Sequence, residues 1–127
     1  MKTKWVSIEA VKTFHHMMLV EHGGLSGVRD SAGLESALAR PKNLQLYEHP
    51  SLCDLGASYT YGITSNHPFV DGNKRTAFLT GVTFLYINGI QLTAPEPNAV
   101  SIMLQLSSGE IEEKDMSAWY KSYHVIR

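Results

Sequence analysis

Apolar residues recur at helical spacing along almost the whole chain, and capping residues, prolines and glycines divide them into segments. Ser7 stands ahead of Ile8, Val11, Phe14 and Met18, which share one face of a helix that Gly23–Gly24 can close. Asp30 or Ser31 can cap a short second helix with Leu34, Ala37 and Leu38 inward and Pro41 beyond its end. Residues 42–50 then read as loop, with room for a short helical turn. Ser51 and Asp54 form a capping-box pair before a stripe of Leu52, Leu55, Tyr59 and Ile63. Pro68 disfavours helical geometry at His67, so that helix ends near Asn66.

The next segment is apolar nearly all round, with Phe78, Leu79, Val82, Phe84, Leu85 and Ile87, and Asn88–Gly89 ends it. Such a helix is expected at the buried centre of a bundle. Pro95 and Pro97 announce a further helix with Ala99, Ile102, Met103 and Leu106 inward and Gly109 at its close. Met116, Trp119, Tyr120 and Tyr123 mark the last one. Only Ile90–Thr93 alternates like a strand, and it is very short. The pattern predicts an all-α, single-domain bundle of about six helices over residues 1–127, with no repeat, linker or low-complexity tract.

Composition narrows what such a bundle does. At 43% hydrophobic and 18% charged, the 127 residues resemble an ordinary globular protein that needs no staples for its core. The formal net charge of −1 provides no global field toward nucleic acid or membrane, so any anion must be met locally. The lone Cys53 rules out an internal disulfide and reads as core filler in a reducing cytosol. No secretory leader is apparent, and the longest apolar stretch is broken by Thr80, Gly81, Thr83 and Asn88. A cytoplasmic protein is expected, with no membrane or direct nucleic-acid partner.

The local chemistry concentrates in HPFVDGNKR, residues 67–75. Pro68 holds His67 outside the helix, where its imidazole can face solvent or a substrate. Phe69 is the natural inward anchor of the loop. Gly72 lets an anion approach the backbone N–H groups of the following first turn. Asn73, Lys74 and Arg75 add neutral and charged donors around the same point. Two cations oppose the positive end of a helix dipole, so something negative belongs beside them. Asp71 can cap the helix, or supply a hard oxygen to Mg²⁺ beside bound phosphate. Together these groups suit phosphoryl or nucleotidyl transfer. The plain alternative stays open: a loop histidine, a simple N-cap, and cations solvated or paired with Asp54 or Glu48.

This stretch resembles the signature of the Fic/Doc family, H-x-F-x-[D/E/N]-[G/A]-N-[G/K]-R. His67, Phe69, Asp71, Gly72, Asn73, Lys74 and Arg75 fill its fixed places. The segments EHGGLSGVRDSAGLESALARP, FLYINGIQL and SSGEI are similar, in the same order, to parts of the death-on-curing (Doc) toxin branch. AMP-transferring Fic enzymes usually have glycine where Lys74 stands and a second arginine where Phe78 stands. The resemblance therefore implies a toxin that transfers the γ-phosphoryl group of ATP, with Mg²⁺, to a hydroxyl of elongation factor Tu and halts translation. It also implies a cognate antitoxin whose C-terminal helix lies in a groove of this domain. His67 would be the general base, Asp71 a Mg²⁺ ligand, and Asn73 a holder of a phosphate oxygen. Lys74, Arg75 and the Gly72–Asn73 backbone would neutralise charge on the transferred group. AMP transfer and a non-catalytic module acting through the antitoxin are the alternatives. No other kinase route is visible, since GNKRT lacks P-loop spacing and GGLSG is not G-x-G-x-x-G.

Weaker patterns read plainly. His15 and His22 share a helical face, and His16 is adjacent, but no carboxylate or cysteine completes a familiar ligand set. Ser108 and Glu112 have the S/T-x-x-x-E spacing of a self-inhibiting Fic segment, yet Glu113 follows instead of Gly or Asn, which suits a structural turn. Trp119, Tyr120 and Tyr123 read as core or interface rather than a platform for bases.

Overall fold

In the computed structural model, which describes residues 2–127, six helices follow one another. They are α1 (Ile8–His22), α2 (Ser31–Tyr47), α3 (Leu52–Asn66), α4 (Asn73–Ile87), α5 (Glu96–Ser108) and α6 (Glu113–Ser122). Two short strands, β1 (Ile90–Leu92) and β2 (His124–Ile126), pair antiparallel with Ile90 opposite Ile126. The caps act where the sequence places them. Ser7 accepts from Ala10 N–H, Asp30 from Gly33 N–H, and Ser51 and Asp54 complete a reciprocal capping box. Gly109 closes α5 in the left-handed conformation. No helix is long and apolar enough to cross a membrane, among the described residues.

Three expectations are corrected. Pro41 lies inside α2, which runs on to Tyr47, so residues 42–47 are helix rather than loop. A helical proline forfeits one backbone bond and crowds the carbonyl four residues back. Here it sits on the buried face with Leu34 and Ala37, where burial against α3 offsets that cost. The two helices approach so closely that a Cβ on Gly62 would lie 3.3 Å from Ala37.

The second correction concerns α4. It is central, but its fully buried face is made of Thr76, Ala77, Thr80 and Gly81 with Phe84 and Leu85. The larger Phe78, Leu79 and Val82 are only half-buried, and Tyr86 is exposed. Small residues are required on the inner face because α3 crosses there at close range. A Cβ on Gly81 would collide with Thr60 Oγ1 and come within 2.6 Å of the Tyr120 hydroxyl. Thr60 Oγ1 lies 3.1 Å from Gly56 O and 2.8 Å from the Tyr120 hydroxyl, so a hydroxyl chain can satisfy both groups. Burial drives the Tyr120 phenol far above its ordinary value.

The third correction is β2, which the residue pattern did not suggest. It forms because β1 offers an edge, and Thr93 N–H donates to Tyr123 O at 2.6 Å as the pairing begins. Arg127 then lies over the Tyr86 ring at 4.0 Å and donates through Nε to Tyr86 O. Cys53 is 3% exposed, and burial pushes its thiol up, as core filler requires. The aromatic residues of α6 are packing residues as well, with Phe78 and Trp119 rings 6.1 Å apart, edge on.

α6 is fastened to α3 through Asp54. Burial pushes its carboxyl up, but the Ser117 hydroxyl, the Ser51 N–H and hydroxyl, and Lys121 together outweigh burial and hold it below the usual carboxylate range. A depressed carboxyl contributes stability above its unfolded value of ~3.9, and that contribution fades as pH falls through the folded value. Acid unfolding of Asp54→Asn should accordingly lack part of the wild-type pH dependence below about pH 4, measured by urea titration at several pH values. At the α3–α4 crossing, Gly81→Ala is expected to destabilise by up to about 2 kcal/mol, because an overpacking cost of about 1–3 kcal/mol outweighs the ~1 kcal/mol that alanine gains in a helix. A denaturant midpoint equal to or above wild type would contradict the close approach.

Candidate active site

The motif begins where α3 stops. His67 is the C-cap, with φ 48 and ψ 53, and is the only non-glycine with positive φ among the described residues. That conformation costs roughly 1–2 kcal/mol for a residue with a Cβ. Arg29 lies behind it. Its Nε donates to His67 O at 3.1 Å, and its Nη2 donates to the same oxygen at 2.5 Å and to Asn66 O at 3.4 Å. A cation is favoured at these end carbonyls, which carry the negative pole of α3. Bonds from a charged donor contribute about 1.5–3 kcal/mol, so even discounted for exposure they offset the strain at His67.

Residues 27–30 run beside the loop and fix it further. Val28 and Phe69 form an antiparallel bridge, and Val70 N–H donates to Gly27 O at 3.0 Å. The N–H groups of Arg29 and Asp30 both donate to Pro68 O, at 2.7 and 3.0 Å. Gly24 and Gly27, with φ near +120°, allow the chain to double back here.

Phe69 is fully buried and stacks flat on the His15 ring, with centroids 3.9 Å apart and planes 10° from parallel. His15 Nε2 lies 2.8 Å from Asp71 O, and since a carbonyl only accepts, Nε2 carries the proton. Asn73, 5% exposed, closes the loop from the other side. Its Oδ1 accepts from Phe69 N–H and its Nδ2 donates to Phe69 O, both at 2.9 Å. The resemblance assigns this side chain a phosphate oxygen. In the structure its amide bonds the Phe69 backbone on both sides, and its own backbone N–H belongs to the uncapped first turn of α4.

The remaining motif residues point outward. Asp71 is exposed; its Oδ2 accepts from Leu25 N–H and its Oδ1 from Gly72 N–H, each at 3.2 Å. Its capping alternative is not realised, because Gly72 is the N-cap of α4, with φ 76 and no side-chain cap bond. Lys74 and Arg75 are exposed and make no ion pair among the described residues. The suggested partner Asp54 instead faces Lys121 at 3.5 Å and Ser117 at 2.5 Å. The first turn of α4 therefore presents N–H groups without a side-chain cap and two cations without an ion-pair partner among the described residues.

These residues open onto a groove of about 650 Å³ between α1, α4 and α5. His67, Asp71, Lys74 and Arg75 line one part of it, and Phe78, Leu79 and Val82 face Val100, Met103 and Leu104 in the rest. His22 reaches this groove, whereas His15 is spent on the loop. Smaller depressions of about 510 and 460 Å³ on the α2–α3–α6 side hold no motif residue. Glu112 caps α6 with Asp115, and Glu113 pairs with Arg40 there, away from the motif groove, in keeping with a structural turn.

Residues 5–85 match the model of the Fic/DOC family. The chain belongs to that family. Toxin Doc of Mycolicibacterium smegmatis is 44% identical over 78 residues, which is 59% of either chain. Protein kinase doc of Escherichia phage P1 is 30% identical over 107 residues, 84% of either chain. The alignment thus spans 59% of the first of these relatives. The span matched by the family takes in α1 to α4 and the whole motif, while α5, the opposite wall of the groove, lies beyond it.

Sequence reasoning missed Arg29 as part of the site and the clamp made by Asn73. Nothing local announces that an exposed arginine serves carbonyls 37 and 38 residues away. The glycines before it were the one hint that the chain turns back. The clamp itself is testable. Asn73→Ala removes both the acceptor of Phe69 N–H and the donor to Phe69 O, which should destabilise by about 1–3 kcal/mol. Urea unfolding and faster amide exchange at Phe69 would register it; unchanged exchange would contradict the clamp.

Proposed function

We propose that this Fic/Doc protein is a toxin that transfers the γ-phosphoryl group of ATP to a Ser/Thr hydroxyl of elongation factor Tu, inhibits translation, and is restrained by a cognate antitoxin. The carrying observation is the first turn of α4. Gly72 leaves its N–H groups uncapped, and Lys74 and Arg75 stand there without acidic partners, beside His67 in one groove. A phosphate chain answers all three features at once. The name of the phage relative, a protein kinase, supports phosphoryl transfer as the reaction.

The donor set fits the nucleotide and its metal. The first-turn N–H groups, Lys74 and Arg75 would hold phosphate oxygens, and exposed Asp71 would supply one carboxylate oxygen to Mg²⁺. Magnesium commonly takes one or two carboxylates together with phosphates and water. Bound Mg²⁺ would neutralise phosphate charge. His67, placed at the groove by its left-handed turn, accepts the proton of the acceptor hydroxyl through a ring nitrogen. Lys74 and Arg75 stabilise the charge that develops on the transferred group. The side chains of Phe69, Asn73 and His15 do not touch substrate and keep the loop rigid, so no reorganisation is needed during the reaction.

AMP transfer is the competing chemistry. Two observations weigh against it. Lys74 occupies the place that the AMP-transferring pattern leaves to glycine. Phe78, where that pattern has a second arginine, packs beside Trp119 and Tyr120 and offers no charge. Beyond the motif the groove is mainly apolar, with His22 and Glu96 as its polar residues, which suits the apolar face of an amphipathic antitoxin helix.

The decisive assay incubates protein with Mg²⁺, elongation factor Tu or bacterial lysate, and ATP labelled at the α or the γ phosphate. Protein-bound γ label alone is expected, with none after chelation of Mg²⁺. His67→Ala should lose about 10²–10⁴-fold in rate. Label from the α position would favour AMP transfer. Neither label, with His67→Ala as toxic in cells as wild type, would sink the enzymatic reading. Lys74→Gly should shift incorporation toward the α label if Lys74 sets the orientation of ATP.

A further inference from the structure

We propose that Arg29 is the positioning residue of this site, holding His67 in the left-handed conformation that presents its imidazole to the groove. Its consequence for rate rests on His67 acting as the base. Three observations converge on it. His67 alone among the described non-glycine residues has positive φ, so something must hold it there. Pro68 follows it and biases the preceding residue toward extended backbone, so a released His67 would relax and swing its side chain. Finally, the only side chain bonded to His67 O among the described residues belongs to Arg29, which brings two guanidinium nitrogens to that atom and a third bond to Asn66 O.

A surface arginine usually spends its guanidinium on carboxylates or solvent. Arg29 makes no ion pair among the described residues, and its side-chain bonds all go to the carbonyl end of α3. Its own backbone is anchored independently, through Arg29 N–H to Pro68 O at 2.7 Å. The side chain can therefore be removed while residues 28–30 stay paired with the loop. Arg29 does not itself line the groove and acts through the backbone of His67, which does.

The test uses the 127-residue chain as wild type, Arg29→Ala, Arg29→Lys, His67→Ala and the Arg29→Ala/His67→Ala double variant. Backbone resonances and the HN–Hα coupling of His67 report its conformer with no substrate present. Arg29→Ala should move them from the left-handed toward the extended signature, and Arg29→Lys, a cation without the planar fork, should restore them in part. With labelled ATP and bacterial lysate, Arg29→Ala is expected to lose about tenfold in turnover, less than the ~10²–10⁴-fold due to a general base. The KM for ATP should stay within about twofold, since nucleotide contacts are untouched. In the His67→Ala background the same change should lower the rate no further. The inference is overturned if His67 keeps its left-handed resonances in Arg29→Ala, or if that variant loses as much rate without His67 as with it. Wild-type protein that transfers neither label would remove the transfer reading, while the resonance comparison would still decide what Arg29 does.

Discussion

The site depends on how closely α4 can lie against α3. Gly81 puts no Cβ between the helices, and the space one would take is filled by the Thr60 and Tyr120 hydroxyls and the Gly56 carbonyl. Interiors are close-packed, so such a crossing has little freedom to slide. That fixes the start of α4 relative to the end of α3, and the motif loop is the short connection between those two ends. Thr60 also meets Tyr120 there, which ties α6 into the same junction. A small-residue face thus serves function indirectly: it turns the bulky Phe78, Leu79 and Val82 outward, where they become one wall of the groove.

Within the loop, rigidity and chemistry fall to different residues. Phe69, Asn73 and His15 bind one another by stacking and by backbone bonds, and all are buried. His67, Asp71, Lys74 and Arg75 are exposed and keep most of their donors and acceptors free. A loop carrying both tasks on the same side chains would lose its shape whenever a ligand claimed a donor. Here a phosphate can take the first-turn N–H groups without disturbing the contacts that define the turn. Asn73 joins both roles, with its side chain facing inward and its backbone N–H at the helix start.

The helices were legible because periodicity and caps act locally. Ser7, the Ser51–Asp54 box and Gly109 hold their expected places. The failures have one physical origin, tertiary contact overriding local preference. Pro41 stays helical because its face is buried against α3, and β2 exists because β1 is there to pair with. The site divides in the same way. Residues 67–75 announce their chemistry by type and spacing, so the motif could be read directly. Arg29 could not, because an arginine aimed at distant carbonyls looks like any solvated one. The bonds of Asn73 to the Phe69 backbone were hidden for a related reason: residue type and spacing do not show which buried groups a side-chain amide meets.

Two cations at the positive end of a helix look like a local error, and an acidic neighbour would be the ordinary remedy. The fold withholds that remedy. Asp71 turns back to Leu25 and Gly72, and Asp54 is held at α6. Any protein carboxylate placed opposite Lys74 and Arg75 would have to be displaced before an anion could enter, so leaving the position open lowers the barrier to binding. In a chain of net charge −1 this makes the α4 start a local positive spot on a nearly neutral surface. The apolar continuation of the groove gives a second ligand a reason to settle beside the same spot. On the reading proposed above, a helical partner lying along Phe78 and Val82 would reach the phosphate-binding end without needing contacts to His67 itself. Its restraint of the protein would then follow from shared space rather than from any change of shape.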